Sequence, residues 1–245
     1  MRIALMADIH GNLEALDACR EHAGARGVER FALLGDLVGY GADPAAVVDA
    51  AMRLGEGAVA VKGNHDEAVE RRSSYLNDSA REAIEWTRRA LRDAHRRYLA
   101  TLPLIVRQDA CCFVHASAFA PERWRYVDSP DEAHRSVQAS TTPYTFCGHV
   151  HDQVLYFERA PGRMGSLRPT AGREIPVGHH RHWLAIVGSV GQSRDGNPDA
   201  AYAVFDAARE TLTFHRVPYD YHETARKIRA AGLPASLAYR MERGI

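Results

Sequence analysis

Short apolar runs alternate with stretches of helical spacing over the first sixty or so residues of the chain. The runs at residues 3–7, 31–34 and 58–61 have the length and continuous apolar character of buried strands. Between them, helical spacing predicts one helix from Leu13 and another that runs to about residue 54, with Asp43 as its N-cap. This order of strands and helices is typical of a largely parallel sheet that is covered on both faces.

The second half of the chain has a different pattern, in which strands follow one another without long helices between them. Helical spacing recurs at residues 77–102 and in two short C-terminal segments, 220–231 and 234–243. Residues 159–181 are rich in Gly, Pro and Arg, a composition that predicts a surface loop. His179, His180 and His182 at the end of this segment could bind metal. A His-rich tract is only a compositional signal, so the loop is the favoured interpretation. The predicted strands of this half imply a more antiparallel sheet and lie at 154–157, 183–187, 201–205 and 211–217.

Polar side chains follow the predicted strands at the points where the strands end. Asn64, His65 and Asp66 come directly after the third apolar run. This trio is a poor start for a helix but suits a metal site, because an amide oxygen can bind a cation and a carboxylate can orient the neighbouring imidazole. Ligands of open α/β sheets sit beyond the carboxyl ends of the strands, so we expect such residues to meet there. Similar residues at other predicted strand ends are Asp8, His10, Asp36, His115, His149 and His151.

Asp8 and His10 flank Ile9 at the end of the first predicted strand. Alternation along an extended backbone would place both side chains on the same side. Taken singly, each histidine or Gly-Asp pair has an ordinary structural explanation. Taken together, the polar residues supply three or four nitrogen and oxygen ligands for each of two cations, with one carboxylate left to bridge them.

Composition and charge narrow the class of protein. The 245 residues are expected to form one domain, 1–245, and the balance of 31 basic and 31 acidic residues argues against an extended nucleic-acid footprint. The chain shows no secretory leader and no apolar stretch long enough to span a bilayer, so we expect a cytoplasmic protein. The four cysteines have no CxxC spacing and are interpreted as small buried hydrophobes in a reducing compartment.

These motifs, in this order, resemble those of the calcineurin-like metallophosphoesterase superfamily. The motifs are Asp8-x-His10, Gly35-Asp36, Gly63-Asn64-His65-Asp66, His115 and Gly148-His149-x-His151. Residues 188–196, Gly-Ser-Val-Gly-Gln-Ser-Arg-Asp-Gly, also resemble the small bacterial and archaeal branch of the family. The resemblance implies an α/β (α+β) fold, a four-layer αββα sandwich of two mixed β-sheets flanked by helices, with a dinuclear centre at one edge.

The resemblance also implies a role for each motif residue. His65 would face the scissile phosphate without binding a metal, and Asp66 would stand behind it. Asp36 would bridge the two ions. The remaining ligands would be Asp8, His10 and His151 for the first ion, and Asn64, His115 and His149 for the second.

Such a centre has a definite chemistry. Two cations acidify a shared water to a bridging hydroxide and clamp the phosphoryl oxygens for in-line attack, and His65 can protonate the leaving group. Mixed imidazole, carboxylate and amide ligands favour two divalent transition-metal ions, Mn, Fe, Zn or Ni, over Ca or Mg. The expected substrate is a phosphodiester or small phosphomonoester of a nucleotide-like or other small molecule.

One departure from the family affects the substrate. Phosphoprotein phosphatases and dinucleoside tetraphosphatases of this superfamily carry an Asp-Arg pair soon after the Gly-Asp motif, and here Tyr40 stands at the position of that arginine. The loss of a bidentate phosphate ligand argues against these two activities, which remain an alternative. Asn12, Arg71 and Arg72 are candidate substitute phosphate contacts. A non-catalytic scaffold on the same fold is a further alternative, disfavoured because every ligand type is present.

Overall fold

The computed structural model describes residues 1–71 and 76–245. These residues form two six-stranded sheets and eight α-helices. The strands are β1 (Arg2–Met6), β2 (Arg30–Leu33), β3 (Val59–Ala60), β4 (Ile105–Gln108), β5 (Cys111–Val114), β6 (Tyr144–Cys147), β7 (Gln153–Ala160), β8 (Arg163–Leu167), β9 (Glu174–Pro176), β10 (Trp183–Val187), β11 (Ala200–Asp206) and β12 (Thr211–Val217). The helices are α1 (Leu13–Gly24), α2 (Pro44–Leu54), α3 (Asn64–Glu70), α4 (Asp78–Ala90), α5 (Asp93–Thr101), α6 (Pro130–Ser140), α7 (Tyr221–Ala230) and α8 (Ala235–Arg243).

Both sheets are mixed. The first has the strand order β3-β2-β1-β11-β12-β9. Strands β1, β2 and β3 are parallel, and β11, β12 and β9 each run antiparallel to the strand before them in this order. The second has the order β4-β5-β6-β10-β7-β8, in which β5, β6 and β10 are parallel and β4, β7 and β8 run antiparallel to their neighbours. The parallel first half and the more antiparallel second half agree with the hydrophobic pattern.

Successive side chains along the strands point to opposite faces of each sheet, so each sheet packs against the other sheet on one face and against helices on the other. In β1, Ile3 and Leu5 enter the apolar core between the two sheets, which also takes Phe113 from β5. Ala4 and Met6 enter a second cluster with apolar residues of α1, α2 and α5. On the far face of the other sheet, β5 packs against α6 in a third cluster. Helices therefore cover both outer faces, and the predicted αββα sandwich is confirmed.

Two local predictions were wrong, and a third is confirmed with added detail. The segment 159–181, expected to be a surface loop, contains the end of β7 and all of β8 and β9. These edge strands are partly exposed, so they lack the continuous apolar run of a buried strand. The helical pattern predicted at 77–102 is confirmed as two helices, α4 and α5, with a break at residues 91 and 92. Asp43 does precede α2, but its carboxylate makes no cap; instead Oδ2 accepts a hydrogen bond of 2.9 Å from Lys227.

The histidines near residue 180 lie away from the polar strand ends. His179 pairs with Glu210, and His182 Nδ1 lies 2.9 Å from Glu158 Oε2. These contacts hold the two side chains against β7 and the β11–β12 turn. In the described part of the chain, the groups of three residues that could hold a metal do not include them.

The four cysteines are free and buried, as interpreted from the sequence. Burial raises the pKa of the Cys111 thiol to about 12 and that of the Cys112 thiol to about 11, so both thiols are held protonated. Over the described residues, no helix is both long and apolar enough to span a bilayer.

Candidate metal centre

The predicted ligands lie at the carboxyl ends of the strands, on an unusual backbone. Asp8 and His10 have φ values of 54° and 50°, in the left-handed region that few residues with a side chain adopt. The expectation of an extended, alternating backbone here was therefore wrong, because β1 already ends at Met6. Asp36, His149 and His151 are also left-handed, at 52°, 69° and 70°. Such concentrated backbone strain is typical of functional sites and persists only where the surroundings enforce it.

Glycines allow the loops to approach one another closely. A Cβ atom on Gly63 would lie 2.1 Å from Asp36 Oδ1, and one on Gly148 would lie 2.3 Å from Asp8 Oδ2. The same two carboxylates are held by the neighbouring backbone: His65 N donates to Asp36 Oδ1 at 2.8 Å, and His149 N donates to Asp8 Oδ2 at 2.8 Å. These backbone amides thus hold one oxygen of each carboxylate. The second oxygen, Asp36 Oδ2 or Asp8 Oδ1, faces the neighbouring imidazoles.

The structure brings the predicted ligands together in overlapping groups. In each group the donor atoms lie within 4.8 Å of one another, and every member is buried. Asp36 and His10 belong to two groups each, so the groups form one continuous centre. The groups are Asp8, His10 and His151; His10, Asp36 and His65; and Asp36, His115 and His149.

The first group converges on Asp8 Oδ1. This atom lies 3.2 Å from His151 Nε2 and 3.8 Å from His10 Nε2. The two Nε2 atoms are themselves 3.2 Å apart. Their opposite ring nitrogens face backbone carbonyls, with His10 Nδ1 3.2 Å from Val38 O and His151 Nδ1 2.5 Å from Gln192 O. Because a carbonyl only accepts, each Nδ1 donates, and each Nε2 faces the carboxylate.

The second group has the same design. His115 Nε2 lies 3.4 Å from Asp36 Oδ2, 3.0 Å from Asn64 Oδ1 and 3.1 Å from His149 Nδ1. The outer ring nitrogens again face carbonyls: His115 Nδ1 is 2.8 Å from Leu34 O, and His149 Nε2 is 3.0 Å from Trp124 O. With the outer nitrogens donating, four acceptor atoms converge here.

This arrangement of acceptors fits a cation. Lone pairs that face one another in a buried space repel unless a proton or a metal ion lies between them. Asp8 Oδ1 is buried and makes no hydrogen bond to any described residue. Imidazole, carboxylate and amide donors at this spacing are the ligands of divalent transition metals, and the backbone carbonyls behind the rings orient them as in known metal sites.

Electrostatics support the same conclusion. Burial opposes ionisation of Asp8 and Asp36, but the nearby imidazoles, chiefly His151 and His115 respectively, outweigh it and lower the pKa of both carboxyls. Burial alone would lower the pKa of His115, yet Asp36 raises it to about 9, so a proton occupies its Nε2 unless a metal ion displaces it. Two buried carboxylates are thus held ionised and favour positive charge between them.

His65 and Asp66 differ from their predicted arrangement. The trio that begins with Asn64 opens helix α3, so the expectation of a poor helix start was wrong. Asp66 does not orient His65: its Oδ1 accepts from the amides of Leu37 and Val38 at 2.9 and 3.3 Å, and its Oδ2 accepts from Gly63 N at 2.9 Å. The carboxylate caps α3 and ties it to the loop after β2. Burial is the main reason that its pKa is raised to about 7.

The His65 ring lies beside the centre. Its centroid is 4.8 Å from that of His10 and 4.6 Å from that of Tyr40. The side chain is buried, and Nδ1 has no hydrogen-bond partner in the described part of the protein. Burial lowers the pKa of this imidazole.

A cavity of about 250 Å³ adjoins His65 and Asn64. Arg194 and Arg240 line it, and the sequence reasoning assigned a role to neither. Arg194 belongs to the Gly-Ser-Val-Gly-Gln-Ser-Arg segment, which was a usable signal, whereas Arg240 lies on α8 in an ordinary helical pattern. Tyr40 and Tyr126 also line the cavity, and the Tyr126 ring stacks on His149 with centroids 4.3 Å apart.

Of the predicted phosphate contacts, Asn12 and Arg71 lie in the described part of the chain, and neither lines this cavity. Asn12 is fully buried, caps α1 through Ala15 N, and donates to Gly191 O and Tyr219 Oη at 3.0 and 3.1 Å. With its amide engaged in these bonds, Asn12 holds the fold together, and its role as a substrate contact stays a prediction. Arg71 is exposed and does not line the cavity. Arg72 lies outside the described residues.

Comparison with known proteins identifies the family. The family model for the calcineurin-like phosphoesterase superfamily domain matches residues 1–210. An uncharacterized protein of Methanocaldococcus jannaschii is 34% identical over 247 aligned positions, which cover 98% of this chain and 96% of that protein.

Two solved structures are similar along the whole chain. A metallophosphoesterase from Sphaerobacter thermophilus is 36% identical, with a TM-score of 0.90 over 100% of this chain and 99% of that one. A hypothetical protein from Pyrococcus horikoshii is 18% identical, with a TM-score of 0.78 over 100% and 98% of the two chains, and shares the fold. The chain belongs to the calcineurin-like phosphoesterase superfamily, a family of metal-dependent phosphoesterases.

Proposed function

We propose that this protein is a dinuclear metal-dependent phosphoesterase that hydrolyses a phosphodiester or a small phosphomonoester. The observation that carries the proposal is the convergence of two sets of buried acceptor atoms that share Asp36, with a cationic cavity beside them. We further propose that residues 1–245 act as one domain, because β1 near one end of the chain pairs with β11 near the other.

Each set of acceptors would hold one divalent ion. Asp36 would serve both ions, since its Oδ2 faces His10 at 3.7 Å and His115 at 3.4 Å. When bound, such a pair supplies an acidified water and neutralises the charge of the phosphoryl group. The remaining ligands would be Asp8, His10 and His151 for one ion, and Asn64, His115 and His149 for the other.

His65 would act on the substrate itself. Its buried imidazole borders the cavity and has a nitrogen free of protein partners among the described residues. From there it would donate a hydrogen bond to a phosphoryl oxygen and pass a proton to the leaving oxygen. Asp66 supports this role indirectly, because its bonds to three backbone amides fix the first turn of α3.

The cavity favours an anionic substrate with a flat group. Arg194 and Arg240 supply the positive charge that Tyr40 does not, and guanidinium groups bind phosphate oxygens through paired donors. Tyr126, which is 51% exposed, offers an aromatic face on which a nucleobase or an aryl ester would pack. These contacts support a nucleotide-like ester.

A substrate panel tests the proposal. Protein reconstituted with Mn, Fe, Zn or Ni would be assayed on bis-p-nitrophenyl phosphate, p-nitrophenyl phosphate, cyclic nucleotides, diadenosine tetraphosphate and a phosphopeptide, with metal content measured in parallel. We expect turnover of a diester or small monoester, lost together with the metal in Asp36→Asn. Preference for the tetraphosphate or the phosphopeptide would replace our substrate class with the alternative one. Metal binding without hydrolysis of any ester would favour a scaffold.

A further inference from the structure

Residues 189–194 contact both the metal centre and the cationic cavity, and their backbone is fixed to the chain just after β1. Ser189 Oγ donates to the main-chain oxygen of Asp8 at 2.8 Å, and Gly191 N donates to the same oxygen at 2.9 Å. Ser189 Oγ in turn accepts a hydrogen bond of 2.8 Å from Gln192 N. Gln192 is only 1% exposed, so these contacts and its burial fix its position relative to Asp8.

The two carbonyl groups of Gln192 face different parts of the site. Its main-chain oxygen accepts a hydrogen bond of 2.5 Å from His151 Nδ1, which turns the other ring nitrogen toward Asp8. Its side-chain Oε1 accepts from Arg194 Nε at 3.4 Å and from Arg194 Nη2 at 3.2 Å. One residue thus contacts a proposed metal ligand through its backbone and an arginine of the cavity through its side chain.

Arg194 dictates the orientation of the Gln192 amide. A guanidinium group carries only donors, so only the oxygen of the amide can face it. In the opposite orientation Nε2 would point at the guanidinium, and donors would face one another. Because Oε1 contacts Nε and Nη2, the edge of the guanidinium formed by Nη1 and Nη2 remains for a second acceptor, such as a phosphate oxygen.

This contact holds the guanidinium without neutralising it. The Gln192 amide is uncharged, so Arg194 keeps its full positive charge at the wall of the cavity. Arg216, by contrast, pairs with the carboxylate of Asp195. The Arg194 side chain is partly exposed, so a ligand in the cavity can reach it. A side chain that is already ordered loses less conformational freedom when it binds an anion.

We propose that Gln192 is a positioning residue, which holds the Arg194 guanidinium in the orientation that binds a phosphoryl group in the cavity. The inference rests on the proposed function, because a phosphate ester is the anion that the cavity would receive. Substitution of the Gln192 side chain should act on Arg194 alone, since the carbonyl that orients His151 belongs to the backbone. The expected consequence is a weaker affinity for phosphate at an unchanged metal content.

The Arg194 side chain of the wild-type protein gives the first test. In Zn-loaded, ¹⁵N-labelled protein, relaxation of the Arg194 Nε–H signal should show a rigid side chain without any ligand, because Gln192 restrains it. In Gln192→Met, which removes the acceptor and keeps an unbranched side chain of similar length, the same signal should become mobile. Arg88 Nε, which donates to Val69 O at 3.0 Å, is the internal control and should stay rigid in both proteins. An Arg194 side chain that is already mobile in the wild-type protein would overturn the proposal.

Binding of inorganic phosphate, measured by calorimetry on the Zn-loaded proteins, tests the consequence. The phosphate Kd should be about 3- to 10-fold higher in Gln192→Met than in the wild-type protein, with equal metal content. In the Arg194→Gln background, the same substitution should change the Kd by less than about 2-fold, because no guanidinium is left to hold.

Three results would overturn the proposal: an equal loss of affinity in both backgrounds, a loss of metal in Gln192→Met, or no phosphate binding by the wild-type protein. The first two would show that Gln192 only supports the fold or the metal centre. None of these readouts requires hydrolysis, so failure of this proposal is distinguishable from a substrate panel in which no ester is turned over.

Discussion

His65→Ala should separate catalysis from metal binding. His65 belongs to one of the three possible metal groups among the described residues, but the ions proposed here would be held by the other two, which this substitution leaves intact. The imidazole lies beside the cavity, with Nδ1 free of partners in the described residues. We therefore expect the loss of a general acid only, a fall in kcat of about 10²–10⁴-fold, which corresponds to roughly 3–5 kcal/mol of transition-state stabilisation.

The assay uses a series of phosphate esters whose leaving groups differ in basicity. A p-nitrophenolate leaves with little help from an acid, so the effect of His65→Ala should be smallest there and grow as the leaving alcohol becomes more basic. His115→Ala is the matched control: its Nε2 faces Asp36, Asn64 and His149, so this variant should lose metal as well as activity. If His65→Ala also lost metal, or reduced kcat equally for every leaving group, His65 would be a ligand or a structural residue instead.

Three further perturbations test the cavity, the loops and the fold. Arg194→Gln should raise KM about 10-fold or more with kcat changed far less, because it removes a charge-assisted bond to the substrate; an unchanged KM would remove Arg194 from the substrate site. Gly63→Ala should lower both metal content and thermal stability because its Cβ would lie 2.1 Å from Asp36 Oδ1, whereas Gly57→Ala, whose Cβ meets nothing within 4 Å, should change neither. Burial, with the nearby positive charges, lowers the pKa of His215 to about 4, so between pH 6.5 and 4 the unfolded chain takes up a proton that the folded one does not. The free energy of unfolding should fall across that range by at most about 3 kcal/mol from this residue, and His215→Phe should flatten the dependence in urea titrations; an unaltered slope would contradict the assignment.

The strands that carry the ligands could be predicted from the sequence because each is a short apolar run that ends at a polar residue. Residues 3–7, 31–34 and 58–61 correspond to β1, β2 and β3. The αββα arrangement followed from the family resemblance and is confirmed by the sheet order. Edge strands such as β8 were missed because their partial exposure leaves no apolar run to detect.

The geometry of the centre could not be predicted in the same way. Side-chain alternation assumes an extended backbone, but Asp8 and His10 reach the site through left-handed turns that depend on neighbouring loops. Asp66 looked like a partner for His65 because the two are adjacent in sequence, whereas its actual partners are amides about thirty residues away and at Gly63. Arg240 and Asn64 are distant in sequence and line the same cavity only in the folded chain.

The most direct test of the account is the crystallographic location of metal in Mn-loaded protein by anomalous scattering. We predict two peaks per chain, one against Asp8, His10 and His151 and the other against Asn64, His115 and His149, with the carboxylate of Asp36 between them. A single peak, or two peaks of which one is bound by His65 in place of these residues, would contradict the proposed dinuclear centre.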